Sequence, residues 1–403
     1  MTTNPLLQEE KRTGNHIIII SFLIFLTIIC PAFLHVNQVE FILLRFNNIS
    51  KLDLSLFDSM VYFAYLFGGI ILGFLLNRNE NRKMFLIIGS FSNIFLFTIM
   101  PLINVYALLL IIRFFQGIAT IWIWQTLSVL VLDQFKENLG KNMGILGLFL
   151  GLAMGLGPIF GGVFASLGVY YPYYASSFIH ILILILTIIL IKNPGSVVKK
   201  ITVWQSIQII HRKKLIIFPG VINFIDRLHM GFLLFIIPLI LVDLNQPPSL
   251  RGMILGLFAL PFILLQYPVG KVSDKIGRLK FIITGSVSYG FVLSLTGILS
   301  SNNLFIFVCC LFLLGLLSGL TSSPNMALIG DISQDEEHSM NMAVFTLFGN
   351  VGIALGPVLG GFLLLYYDYS IVFILVGILE FFSLLFLFTF NRNPDYKTIK
   401  TAN

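Results

Sequence analysis

The first fifteen positions are mostly polar, and from Ile17 onward the chain is apolar for most of its length. Twelve apolar stretches stand out: Ile17–Leu44, Leu56–Leu76, Met84–Ile103, Ala107–Leu132, Met143–Gly168, Tyr173–Ile191, Leu215–Val242, Met253–Val269, Phe281–Leu299, Leu304–Ile329, Met340–Leu365 and Ile371–Phe390. About 20 residues of helix cross the ~30 Å hydrocarbon layer, so each stretch is long enough to span it. None alternates apolar and polar residues with a period of two. Only helices and closed barrels satisfy their backbone inside lipid, so the pattern predicts twelve transmembrane helices and an all-α membrane protein.

Composition sharpens this. Of 403 residues, 57% are hydrophobic and 11% charged, with a mean hydropathy of +0.95. Soluble domains carry about 25% charged residues, so the apolar surface of this chain must face a lipid bilayer. Glu9, Glu10, Lys11 and Arg12 precede a run far too long for the core of a signal peptide, and no cleavable leader is expected. Cys30, Cys309 and Cys310 lie in apolar runs without metal or disulfide spacing. The sequence carries no phosphate-binding loop, metal cluster or soluble domain large enough for chemistry. The expectation is therefore no enzyme activity, cofactor, metal or ATP-driven pumping.

The net charge of +7 would suggest nucleic acid in a soluble protein, but its distribution points to a membrane. With the N-terminus inside, twenty of the 25 lysines and arginines fall in inner loops and tails. Only Arg45, Lys51 and Arg251 fall outside, while Arg113 and Arg227 lie within spans. The positive-inside rule then places both termini in the cytoplasm.

The chain also repeats itself. Gly157-Pro158-Ile159-Phe160-Gly161-Gly162 recurs as Gly356-Pro357-Val358-Leu359-Gly360-Gly361, an offset of 199 residues. Gly73 and Gly270, each opening the loop expected after the second span of its half, are offset by 197, and Asp133 and Asp331 by 198. Six spans separate equivalent positions, so the halves are parallel repeats. The domains expected are 1–191, a linker 192–214, and 215–403. Within the linker, residues 201–210 and the basic Arg212-Lys213-Lys214 fit an interfacial amphipathic helix and a solvated connection equally well.

These residues resemble the major facilitator superfamily over essentially the whole chain. That family has two pseudo-symmetric six-helix bundles and a signature Gly-x-x-x-Asp-Arg/Lys-x-Gly-Arg-x-Lys/Arg after the second helix of each half. The second copy is Gly270, Asp274, Lys275, Gly277, Arg278 and Lys280. The first is degraded: Gly73, Asn77 and Arg78 are followed by Arg82-Lys83, with Asn77 for the acid and Glu80 for the second glycine. The resemblance implies a gating role for these loops. The acid would stabilise one closed state against a helix N-terminus, a latch retained at Asp274 and weakened at Asn77. Span 4 carries Arg113-Phe114-Phe115-Gln116-Gly117, similar to the Arg-x-x-Gln-Gly of the drug/proton antiporter branch, and span 5 that branch's Gly-Pro-x-x-Gly-Gly. Gly157, Pro158, Gly356 and Pro357 would bend helices where bundles meet. The ladder Gly147, Gly151, Gly155 reads as helix packing.

Charge inside a membrane is costly unless paired or hydrated, so the ionisable residues within the spans mark candidate sites. Span 7 holds Asp226, Arg227 and His229 about halfway across. Asp226 and His229 share a face at i,i+3 and Arg227 points about 100° away. Asp226 is the first candidate proton carrier, with Arg227 or His229 tuning it; a fixed structural ion pair is the alternative. Arg113 in span 4 needs an acid from another span, with Asp226, Glu380 and Glu40 available. Glu380 in span 12 and His180 in span 6 occupy nearly repeat-equivalent positions. Gln116, Trp124 and Gln125 are candidate substrate contacts, though tryptophans at such positions also serve as packing residues.

The reading that joins these features is a monomeric secondary transporter of the cell membrane, exporting a small hydrophobic or amphipathic molecule against protons by alternating access. A proton-linked importer of a sugar, organic anion or peptide fits the same residues, with Arg113 and Arg227 holding an anion. A sensor or assembly factor retaining the fold without transport is the reading from another class. Nucleic acid is not an expected partner.

Overall fold

The computed structural model describes residues 5–78, 81–134, 139–191, 214–299, 303–333 and 338–392. The linker lies outside these except for its last residue. The described residues form twelve long helices: α1 (Pro5–Arg45), α2 (Lys51–Arg78), α3 (Arg82–Ile99), α4 (Tyr106–Gln134), α5 (Leu139–Leu167), α6 (Tyr171–Leu190), α7 (Ile217–Asp243), α8 (Pro248–Ile276), α9 (Arg278–Leu299), α10 (Leu304–Asp331), α11 (His338–Leu363) and α12 (Tyr369–Arg392). Every one contains an apolar segment long enough to cross a membrane, so all twelve expected spans are present. The chain is a multi-pass membrane protein with an all-α fold.

Two compact units emerge. One comprises the described parts of Met1–Phe46, Phe67–Lys200 and Asn245–Gly256; the other comprises those of Asn47–Leu66, Ile201–Leu244 and Leu257–Asn403. In the first unit α1 packs mainly on α5, and α3 on α4 and α6. In the second α7 packs mainly on α11, and α9 on α10 and α12. The most enclosed spans are α1 in the first unit and α7 in the second, 67% and 72% buried along their apolar stretches.

The paired Gly-Pro-x-x-Gly-Gly segments explain this burial. At Gly161 an added Cβ would stand 2.6 Å from the Cα and carbonyl oxygen of Phe33, and at Gly157 2.5 Å from Ala32 Cβ, so α5 lies directly on α1. The neighbouring Gly162 instead meets the start of α8, where its Cβ would be 2.6 Å from the Pro248 carbonyl. In the second unit Gly360 faces the Phe232 ring of α7, and Gly361 faces Ser55 and the Lys51 carbonyl at the start of α2. The segment thus holds two partners at close approach, one per glycine, while α5 and α11 run unbroken through Pro158 and Pro357. The expected packing ladder is incomplete, because Gly147 has nothing within 4 Å.

Helix ends differ from the apolar runs. Gly73 and Gly270 lie inside α2 and α8, which continue to Arg78 and Ile276. The turn between α8 and α9 is made at Gly277, whose φ of +108° favours glycine. Arg251, expected in a loop, is 3% exposed in the first turn of α8. Its guanidinium meets the Glu40 carboxylate at 2.5 Å. Arg45 ends α1 and donates to the Ile103 carbonyl at 2.6 Å and Asn104 Oδ1 at 2.9 Å, beneath the rings of Phe41, Phe46 and Tyr170.

Candidate functional site

The polar residues of the second unit converge on α7. His229 and Glu380 of α12 are both fully buried, with His229 Nδ1 3.1 Å from Glu380 Oε2. The other ring nitrogen, Nε2, lies 2.9 Å from the Val376 carbonyl. A carbonyl only accepts, so Nε2 carries the proton there. The imidazole stacks on Tyr289 of α9 with centroids 5.4 Å apart and planes at 19°. Room for the carboxylate comes from Gly290, where a Cβ would fall 2.9 Å from Glu380 Cβ.

Asp226 sits one turn earlier on α7 and is half-buried. It lies within electrostatic range of Glu380 and Arg227 and in hydrogen-bonding reach of Thr321 on α10. The Arg227 stem rests against α11, and a Cβ at Gly349 would stand 3.2 Å from its Cγ. The sequence suggested His229 as a partner of Asp226, whereas the structure gives His229 to Glu380. Asp226, Arg227, His229 and Glu380 are nonetheless brought into one cluster.

The first unit holds a second buried chain. Arg113 Nη1 donates to Gln116 Oε1 at 2.6 Å, and Gln116 Nε2 donates to Thr120 Oγ1 at 2.7 Å. Asn93 Nδ2 of α3 reaches Thr120 Oγ1 at 3.1 Å and His180 Nε2 at 3.0 Å. His180 Nδ1 lies 2.8 Å from the Ser176 carbonyl. Ser176 Oγ in turn donates to the Cys30 carbonyl of α1 at 3.3 Å. Arg113, Gln116, Thr120, Asn93, Ser176 and His180 are all inaccessible to solvent. Of the acids proposed for Arg113, Glu40 meets Arg251, Glu380 meets His229 and Asp226 lies beside Arg227. Arg113 is met by the amide of Gln116, three residues on in its own helix.

Trp124 packs on the apolar core between α1 and α4, while Gln125 lies beside Gly69 of α2. Asp274 is 56% exposed and pairs with Arg278 at 2.7 Å. Arg278 also binds Asp331 through Nε and Nη2. The side chains of Asn77 and Arg78 lie outside the described set. Asn93, Tyr289 and Thr321 escaped sequence reasoning. Their one signal is a polar side chain in an otherwise apolar span.

The family model described as Major Facilitator Superfamily matches residues 16–225 and 219–403. Among curated proteins, the multidrug efflux pump LfrA of Mycolicibacterium smegmatis is 27% identical over 143 residues, covering 35% of this chain and 28% of that protein. The quinolone resistance protein NorA of Staphylococcus aureus is 25% identical over 140 residues, covering 35% of this chain and 36% of that one. The chain thus matches about a third of these relatives' length. Among solved structures, a bacterial homolog of the human lysosomal transporter Spinster, in an inward-facing conformation, superposes with a TM-score of 0.78 at 12% identity, covering 96% of this chain and 98% of that one. The nucleoside transporter NupG gives 0.79 at 9% identity over 94% and 100% of the two chains. A D-xylose–proton symporter gives 0.74 at 14% over 95% and 98%.

Proposed function

The chain belongs to the major facilitator superfamily, and on that premise we propose that it exports small hydrophobic or amphipathic molecules in exchange for protons by alternating access. One observation carries the coupling: Asp226, Arg227, His229 and Glu380 form an ionisable cluster on two spans of one unit, with its His229–Glu380 pair fully buried. Charge at that depth is costly unless a function retains it. The cluster joins two acids, an imidazole and a guanidinium, a set able to take up a proton in one conformation and release it in another. Limited likeness to the LfrA and NorA segments supports export as the direction and multiple drugs as the substrate class. The proposal places both termini in the cytoplasm, following the basic residues, and divides the chain into bundles 1–191 and 215–403.

The test uses proteoliposomes holding purified protein, a pH gradient of either sign, and ethidium as a fluorescent lipophilic cation. Ethidium moving uphill against an inward proton flux supports export. Movement in the direction of proton flux makes the protein a symporter. No flux for ethidium, a fluoroquinolone, xylose or a nucleoside in either direction returns the fold to a non-transporting role.

A further inference from the structure

The repeat that pairs the halves in sequence also pairs their polar centres, which differ in chemistry. An offset of 199 carries Cys30 onto His229, and an offset of 200 carries Ser176 onto Val376 and His180 onto Glu380. Asn93 corresponds, at 197, to Gly290. In both units the first helix therefore reaches toward the carbonyl one turn before the key residue of the last helix. Cys30 Sγ lies 3.8 Å from the Ser176 carbonyl, and His229 Nε2 lies 2.9 Å from that of Val376.

In the first unit the imidazole proton has a fixed place. The Ser176 carbonyl only accepts, so His180 Nδ1 donates to it. Nε2 is then the acceptor of the Asn93 amide, and the other amide hydrogen goes to Thr120. At the far end Arg113 only donates, so Gln116 presents its oxygen to Arg113 and its nitrogen to Thr120. Both imidazole nitrogens are committed to neutral partners. A further proton on Nε2 would point at an amide donor, and a buried imidazolium there would lack a carboxylate.

The second unit has the opposite arrangement. His229 Nε2–H is fixed by a carbonyl, but Nδ1 faces a carboxylate oxygen at 3.1 Å. One proton between these atoms satisfies both. With none, an imidazole lone pair opposes a buried carboxylate; with two, both atoms carry hydrogens and the pair a net charge. The surrounding ionisable groups are Asp226 and Arg227 on α7, Tyr289 on α9, and Glu380 itself on α12. Of these groups Asp226 and Arg227 are the partly exposed ones, so Asp226 is the less enclosed of the two carboxylates.

Building on the coupling reading above, we propose that His229 and Glu380 together store the single transported proton, that Asp226 loads and unloads it, and that His180 carries none. In one cycle a proton passes from water through Asp226 to the His229–Glu380 pair, and returns to water on the other side as the pair opens. The proton taken up is the proton released, so no bond is left unaccounted for, and exchange for a monovalent cation such as ethidium moves no net charge. Asp226 alone, the carrier suggested by sequence, becomes the gatekeeper of a deeper site.

Two measurements test this. The first follows the imidazole nitrogens of histidine-labelled protein in nanodiscs by NMR between about pH 5 and 8, where imidazole titrates. Loss of a signal in His229→Gln assigns it. The second is ethidium transport in proteoliposomes, uphill under a pH gradient and downhill without one. Glu380→Gln should alter the His229 signal and reduce uphill transport to the level of protein-free liposomes, while downhill exchange persists. His229→Gln should do the same to transport, and serves if Glu380→Gln does not fold. His180→Gln, which can still accept from Asn93 and donate to the Ser176 carbonyl, should leave uphill transport and the His229 signal intact. Asp226→Asn should slow uphill transport without moving the His229 resonance in its resting form. Wild-type uphill transport in Glu380→Gln, a His229 signal indifferent to that change, or loss of coupling in a folded His180→Gln would each overturn the proposal. If the wild type moves no ethidium under either gradient, the export reading fails instead, and the NMR arm still decides whether the pair shares a proton.

Discussion

Substituting alanine at two glycines of α5 should produce opposite effects, and the structure sets their size. A Cβ at Gly161 would stand 2.6 Å from both the Cα and the carbonyl oxygen of Phe33, where ordinary contact begins at 3.4 Å. The obstacle is backbone of α1, so no rotamer change relieves it, and the two helices must part by about 0.8 Å. Phe33 is 2% exposed and packs on Phe164 at 5.3 Å, so the separation propagates through a filled core. Overpacking of this kind costs about 1–3 kcal/mol. Gly147 has nothing within 4 Å, and alanine there should gain up to about 1 kcal/mol from helix propensity alone. The two variants should therefore differ by roughly 1–4 kcal/mol. Thermal unfolding in one detergent, followed by intrinsic fluorescence, orders them against the wild type. Gly360→Ala should fall between, because its nearest obstacle is the Phe232 ring, which can tilt. If Gly161→Ala unfolds with the wild type, or Gly147→Ala is equally destabilised, close helix approach is not what the motif supplies.

Glu40→Gln should destabilise by about 1–3 kcal/mol, because the buried Arg251 guanidinium loses its countercharge and keeps only neutral acceptors such as the Val36 carbonyl at 3.4 Å. Adding Arg251→Met should recover most of that loss in a double-mutant cycle. Asn93→Leu removes the donor to both Thr120 and His180 and should cost about 1–3 kcal/mol in the same unfolding assay. Combined with His180→Gln its effect should be less than additive, since both act on one chain of bonds. Arg278→Gln should cost under about 1 kcal/mol despite its two acid partners, because Asp274 and Asp331 are 56% and 38% exposed. A larger loss would mean that Arg278 also holds the α8–α9 turn in place.

Much of the fold was written in the apolar runs and the repeat. A run of twenty apolar residues has few alternatives in lipid, so all twelve helices could be placed one by one. Their ends were less legible, because hydropathy marks where lipid stops rather than where a helix does. Gly73 and Gly270 seemed to open loops, yet α2 and α8 run on through the charged residues beyond them. Arg251 read as a loop cation because no apolar run covered it. Pro248, pre-set for a first helical turn, starts α8 ahead of it, and Glu40 supplies the charge that lets it be buried.

The site was legible residue by residue but not pair by pair. Asp226, His229, Glu380, Arg113 and His180 each declared themselves as polar groups in apolar spans. Their partners depend on which helix faces which, and that is not a local property. The i,i+3 spacing correctly put Asp226 and His229 on one side of α7, but a turn of rise separates them. His229 meets Glu380 and Asp226 remains half-buried. A signal for this existed in the repeat. Once Gly157 is laid on Gly356, Cys30 falls on His229 and His180 within a residue of Glu380. Equivalent helices of a parallel repeat make equivalent contacts, so a residue pair touching in one half predicts its counterpart in the other. Cys30 and His180 both reach the Ser176 carbonyl, and their counterparts are a histidine and a glutamate, two groups able to share a proton when they meet. The repeat thus locates the contact, and the difference in residue type between its two copies is what directs the proposed proton chemistry to the second half.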